Sequence, residues 1–402
     1  MSSMAPTKIF ITDVGIISAL GMGFEKISEA LSQNPHIASV KDYEFHQFEK
    51  EIPAHLLPDY NPEVVLGKKG LRLKDHSTKL ILGTFETGFK NIMEASDEAN
   101  RPGICIGTAF GSIQSIGDFL SDSIVNGVGN VNPQAFANTV INAPTGQANI
   151  RYCAKNLSAT ISTGFNAGLD ALIYTFNYLK CGYLQSVVAG GLEEVSYYSL
   201  LGFMRAGILA SEAPAKPFNV SSKGVVMGEG CALLLLETEE SVKTRSAKAI
   251  AEIAGTGSTF DSDAAQSGVS NGDAGKQAIL IACKEAGISP EQIDFVASGA
   301  SGNPVADKLE AKAVALALGS KVPVTAYKRF TGECYGASGA INTLCALSDM
   351  KNNRISGIGE NYTSLDGINV VFSTIQKNST YALVTSFACD GNCSALIIKN
   401  VN

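Results

Sequence analysis

Between residues 156 and 176 the chain reads NLSATISTGFNAGLDALIYTF, and this stretch limits the fold more than any other. An apolar, β-branched run from Leu157 to Thr163 leads into a corner of small residues around Phe165. Apolar residues then recur at helical steps: Leu169, Leu172, Ile173 and Phe176. The pattern predicts a buried strand that turns sharply into a helix. A residue at such a corner sits at a helix N-terminus, where unpaired N–H groups and the positive dipole end favour a nucleophile or an oxyanion. A nucleophile elbow carries Ser, Cys or Thr at its tip. Here the tip is Phe165, which has no nucleophilic atom. An ordinary buried strand–turn–helix is the other reading of the same residues.

With 402 residues, 45% hydrophobic and 17% charged, the chain can build two domains or one large duplicated domain around a sizeable core. A net charge of −7 with no long basic run argues against nucleic acid or an anionic membrane as the main partner. It leaves room for an acidic protein docking on a local basic patch. Nine Cys without CxxC pairs and a short polar opening point to a reduced, cytoplasmic protein without a signal peptide. No apolar run approaches the length of a membrane span.

All four His (His36, His46, His55 and His76) lie in the first fifth of the chain, so no mechanism can draw an imidazole from the C-terminal half. Residues 34–69 read as irregular, and the three His there as solvated loop residues. No second ligand stands at metal spacing, so neither a metal nor a cofactor is expected.

Strands are expected at residues 8–17, 103–110, 185–194 and 231–237, and again at 248–257, 295–299, 322–326, 381–387 and 395–399. Helical periodicity covers residues 75–100, 112–123, 273–287, 304–318 and 336–350. Alternation in both parts indicates an α/β architecture. A polar helix and linker at 239–246 place the boundary between halves at 1–245 and 246–402.

The corner Thr163-Gly164-Phe165-Asn166-Ala167-Gly168-Leu169-Asp170-Ala171 resembles the active-site elbow of β-ketoacyl synthases, of the thiolase superfamily, whose pattern is roughly T-A-C-x-S-G-(L/V)-x-A. The family's nucleophilic Cys falls on Phe165. The run from Gly168 to Leu172 is similar to that of the chain-length factors of type II polyketide synthases, ketosynthase-like partners with a non-Cys elbow. Residues Asn138, Thr139, Val140, Asn142, Ala143, Pro144 and Gly146 match the family segment N-T-V-x-N-A-P-x-G. Gly190-Gly191, Lys216-Pro217-Phe218-Asn219 and Gly228-Glu229-Gly230 resemble three further motifs. In the frame A-H-G-T-x-T-P, here Ala297 to Pro304, the first family His falls on Ser298 or Gly299. In the frame K-x-x-T-G-H-x-x-G-A-x-G, here Lys328 to Gly339, the second falls on Glu333.

The resemblance implies an α/β thiolase-like fold, with duplicated βαβαβαββ halves in five layers, α-β-α-β-α. With Phe165, Ser298, Gly299 and Glu333 at the catalytic positions, it implies that the family's catalytic set is lost and that the chain is no enzyme on its own. It implies instead a chain-length factor that heterodimerises with an active ketosynthase. That subunit shapes the tunnel for an aromatic polyketide or aryl polyene delivered by acyl carrier protein. By family position the tunnel residues are Ser112, Ser115, Phe119, Phe136 and Val140. The interface residues are Asn138, Thr139, Asn142, Pro144, Gln147, Ser158, Thr160 and Ser162. A malonyl-carrier-protein decarboxylase is the alternative. A thiolase-like hydrolase using Ser162, Cys334 or Cys389 would lack a His to activate a thiol.

Overall fold

The buried strands pair into a twelve-stranded sheet. In the computed structural model, which describes residues 7–43, 46–97, 100–359 and 362–401, the first half contributes β1 (Ile9–Ser18), β2 (Gly103–Gly107), β3 (Ser158–Ile161), β4 (Ser186–Glu193) and β5 (Gly230–Thr238). The second contributes β6 (Ala251–Phe260), β7 (Phe295–Ala297), β8 (Pro323–Thr325), β9 (Asn369–Val370), β10 (Tyr381–Phe387) and β11 (Asn392–Asn400). The order is β9-β8-β7-β10-β11-β6-β1-β5-β4-β2-β3, with the short strand Gly21–Met22 folded against β1. The halves join where β1 and β6 pair antiparallel, Ile9 opposite Ile253.

The duplication is visible in the pairing. In the first half β3, β2 and β4 run parallel, then β5 and β1 antiparallel. In the second, β8, β7 and β10 run parallel, then β11 and β6 antiparallel. The main helices are α1 (His76–Gly88), α2 (Ile113–Asn126), α3 (Ala143–Tyr152), α4 (Ala167–Lys180), α5 (Tyr197–Arg205), α6 (Asp273–Ala286), α7 (Pro304–Leu318) and α8 (Ser338–Lys351). A one-turn 3-10 segment introduces both α4 (Gly164–Asn166) and α8 (Tyr335–Ala337).

Side-chain alternation along the strands sorts these helices into layers. Ile104 and Ile106 of β2 pack with Leu80 and Phe85 of α1 and Ala148 of α3. Cys105, between them, faces Leu169 and Leu172 of α4, Ile341 of α8, and Val384 and Leu396 of the other half-sheet. Beyond that half-sheet, Leu383 and Ile397 meet Ile279 of α6 and Val314 of α7. The result is five layers, with α4 and α8 in the middle. Fully burying a side chain such as Leu169 or Leu172 is worth about 1.5–3 kcal/mol. The middle layer is therefore where the stability of the two halves is shared. It is also close-packed: a Cβ on Gly168 would stand 2.2 Å from the Gly336 carbonyl oxygen.

Two expectations are corrected. The helix expected over 75–100 breaks at Phe89, whose φ of −132° leaves the helical region, and resumes as Lys90–Ala95. Gly88 there abuts the backbone of Gly15, so the chain turns where it meets β1. Residues 98 and 99 lie outside the described residues. Residues 34–69 are not irregular: Ala38–Tyr43 and His46–His55 pair antiparallel, and the latter runs parallel to Met227–Gly228. The interleaved charges at Glu49, Lys50 and Glu51 hid the buried face of Phe48, Ile52 and Ala54. His55 is accordingly a buried residue, not a solvated one.

Candidate functional site at the elbow

The predicted elbow exists. β3 ends at Ile161, Gly164 takes a φ of +74°, and α4 starts at Ala167. The positive φ lets the chain turn without a Cβ penalty. Asn166 is fully buried and anchors the turn. Its amide donates to the Ser386 carbonyl at 2.8 Å, and its oxygen accepts from the Ser386 hydroxyl at 2.8 Å. Asp170, one turn into α4, accepts from the hydroxyls of Thr163 and Ser394, each at 2.5 Å.

At the tip, Phe165 belongs to a cluster of four rings. Its centroid lies 5.2 Å from Tyr335 and 6.3 Å from Phe203. Phe203 and Tyr335 stack at 4.8 Å, and Phe110 meets Tyr335 edge-on at 5.5 Å. Beside the cluster remains a cavity of about 30 Å³, bounded by Asn166, Gly299, Lys328, Glu333 and Cys389 among others. That is room for about one water molecule.

The two histidine frames hold closed carboxylate networks. At the first, Glu310 accepts from the Ser298 hydroxyl at 2.8 Å, the Gly299 N–H at 2.9 Å, and the Thr385 hydroxyl. Burial raises the Glu310 carboxyl above its usual range, with Thr385 and Ser298 opposing. Nearby Asp307 takes the N–H groups of Phe218, Ser301 and Gly302, yet burial still lifts its carboxyl to about 7. At the second, Glu333 pairs with Lys328 at 2.8 Å, both side chains only 6% exposed. Its other oxygen accepts from the Tyr335 N–H at 3.0 Å and the Ser338 hydroxyl at 2.8 Å. Glu333 thus fills three of its roughly four lone-pair sites, and it orders the turn into α8. The sequence reading treated Glu333 as a lost histidine and missed its partner, although Lys328 stands in the same motif. Cys334 is buried, and burial pushes its thiol well above the usual value. Burial likewise raises the half-buried Cys389.

The expected tunnel residues cluster on and beside α2. Ser112 is fully buried just before it, and Ser115 and Phe119 are half-buried along it. Phe119 meets Phe136 at 6.0 Å; Phe136 and Val140 are exposed. The neighbouring stripe of α2, with Ile113, Ile116, Leu120, Ile124 and Val125, forms with Tyr198 an apolar groove of about 430 Å³. Sequence reasoning missed this stripe, although its i, i+3, i+4 spacing was legible. The expected interface residues hold the segment before β3 in place. Asn138 donates to the Leu73 carbonyl, Gln147 accepts from Lys74, Asn149 donates to Ser158, and Thr160 donates to Thr145. Thr139 caps its own turn at the Phe136 carbonyl, Asn142 precedes α3, and Ser162 is exposed. Pro144 is buried in the first turn of α3, where a proline suits the missing N–H.

Residues 75–241 match the family described as "Beta-ketoacyl synthase, N-terminal domain", and residues 250–358 match "Beta-ketoacyl synthase, C-terminal domain". The chain belongs to the β-ketoacyl synthase family. It is 26% identical to the "3-oxoacyl-[acyl-carrier-protein] synthase homolog" of Saccharomyces cerevisiae over 98% of both chains. It is 25% identical to the "3-oxoacyl-[acyl-carrier-protein] synthase 2" of Vibrio cholerae over 99% of this chain and 100% of that one. Among solved structures, "The ishigamide ketosynthase/chain length factor" superposes with a TM-score of 0.90 at 22% identity, covering 99% and 100% of the two chains. A ketosynthase in complex with its chain length factor from Xenorhabdus doucetiae gives 0.84 at 19%, covering 100% of both chains. At those identities the structures establish the thiolase-like fold of this synthase-family chain. The curated relatives overturn one sequence reading: they are named as synthases, which are enzymes, so the reading of this chain as no enzyme on its own is withdrawn. Among the described residues, no helix is long and apolar enough to cross a membrane.

Proposed function

We propose that this synthase-family chain is the chain-length-factor-type member of a ketosynthase pair, joining a second subunit that carries the Cys and both His. The observation that carries the reading is the elbow tip, where Phe165 lies in a four-ring cluster; the motif resemblance sets the family thiol at this residue. Acyl transfer by the pair uses a thiol, with donors for the enolate and the oxyanion, and the partner's elbow supplies that thiol. This chain contributes the α2 surface to the tunnel for a growing polyketide or polyene chain brought by acyl carrier protein. Ser115, Phe119, Phe136 and Val140 border that surface, and its apolar groove suits the apolar stretches of such a chain.

The partner is supported by an open edge. β3 ends the sheet, and only its β2 side is paired. Ile150, on the α3 helix that bonds to it, is exposed. An edge strand with apolar flanks is a template for another chain. Co-expression with an intact Cys–His–His ketosynthase encoded beside this chain is expected to yield a stable one-to-one complex on size exclusion. Two separately eluting proteins would contradict the pairing.

A further inference from the structure

We infer that the tyrosine ladder Tyr174–Tyr178–Tyr183 at the C-terminal end of α4 is a docking surface for the paired ketosynthase subunit, on the flank of β3 opposite α3; this rests on the pairing proposed above. Tyr174 stacks on Tyr178 at 5.9 Å, and Tyr178 meets Tyr183 at a tilt, 4.8 Å away. Yet Tyr174 is 42% and Tyr183 67% exposed. A fold that buries most of α4, Phe176 included, has left Tyr174 exposed and Tyr178 half-buried, with exposed Tyr183 just beyond the helix.

Their place in the fold identifies what covers them. α4 shares the middle layer with α8, against which Leu169 packs at Gly339. Its other side carries Asp170, which bonds Thr163 two residues after β3 and Ser394 of β11, and one turn further on Tyr174. Residues four apart share a helix face, so Tyr174 and then Tyr178 continue the side that faces the end of β3. α3 occupies the opposite face of the sheet, beside β2 and β3. A chain that adds a strand to β3 therefore arrives between two flanks, Ile150 on α3 and the ladder on α4.

Area makes both flanks necessary. β3 has four residues, roughly 13 Å of strand at about 3.3 Å per residue. A stable interface buries about 1,600 Å² in total, and a four-residue ladder of main-chain bonds supplies only a small part of it. Stacked tyrosines provide wide, stiff contact area with few rotamers to immobilise, and their hydroxyls can stay at a wet rim. The matching surface on the ketosynthase would present aliphatic or arginine side chains to the ring faces.

The test uses the full chain and the intact ketosynthase, with affinity measured for wild type, for Tyr174→Ala/Tyr178→Ala and for Tyr183→Ala. Melting curves of the free variants check folding. The double variant is expected to bind about thirty-fold more weakly or worse, as for a hot spot of two aromatic side chains, with the single variant between. Affinity within about threefold of wild type for a folded double variant overturns the ladder while the pairing stands. A wild-type chain that ignores the ketosynthase overturns the pairing and the ladder with it. Self-association that is lost in the double variant, without any ketosynthase binding, assigns the surface to a second copy and overturns the partner named here.

Discussion

Replacing Glu333 with Ala is expected to destabilise the chain by about 3–5 kcal/mol, the usual cost of stripping one partner from a buried ion pair. The Lys328 ammonium would be left inside the protein, 2.8 Å from where its counter-charge stood. The Tyr335 N–H and the Ser338 hydroxyl would lose their acceptor in the same step. Tyr335 already sits at a positive φ of 42°, so the turn into α8 has little conformational latitude once that carboxylate is gone. Removing both charges should be far milder, because burying an ion pair costs desolvation on each side. Chemical denaturation of Glu333→Ala beside Lys328→Met/Glu333→Leu measures this. A single variant within about 1 kcal/mol of wild type would show that the pair is not structurally coupled to the turn.

Acidification should reveal His55. Burial pushes its imidazole down from 6.5 to about 4, with the charges of His36 and Arg329 adding to the effect and a backbone contact at His36 opposing it. The unfolded chain takes up a proton below about pH 6.5 while the folded chain refuses it until near pH 4. Stability therefore falls across that window, by about 3 kcal/mol for a shift of this size. Buried carboxyls act in the other direction: burial raises Glu193 to about 8 and Glu194 to about 7, so the folded chain takes up their protons at higher pH than the unfolded chain and gains stability as the pH falls. The difference between wild type and His55→Leu isolates the histidine. Wild type should lose about 3 kcal/mol relative to the variant between pH 6.5 and 4. Parallel stability curves would place His55 in contact with water.

How much of this was readable in the sequence depends on the range of the interaction. The elbow was legible because a β-branched run, a glycine corner and a helical period lie within one stretch, and α4 begins at Ala167 within two residues of where the pattern turns. Pro304–Leu318 and Tyr381–Phe387 have the expected bounds, since a proline start and a continuous apolar run mark them locally. The hairpin over 38–55 was not legible. Its buried face alternates with charges, and its register is fixed by Met227–Gly228, far along the chain. The Lys328–Glu333 pair lay in plain view in one motif, but comparing that motif with a histidine frame directed attention to what was missing. The tyrosine ladder was invisible for a different reason. Tyr174 and Tyr178 obey the helical spacing of a buried face, and only the neighbours α8 and β3 decide that their side is open.

In the proposed pair this chain sets the length of the product, and the mass of that product is the direct readout. The ketosynthase complex should be assembled with wild-type chain, with Phe119→Ala and with Ser115→Phe, and supplied with malonyl-loaded acyl carrier protein. Truncating Phe119, which now rests against Phe136, opens a void that a chain can enter. Longer products are expected from Phe119→Ala and shorter ones from Ser115→Phe, with malonyl consumption little changed and melting temperatures showing intact complexes. Products of identical mass from all three complexes, folded and turning over, would contradict the account.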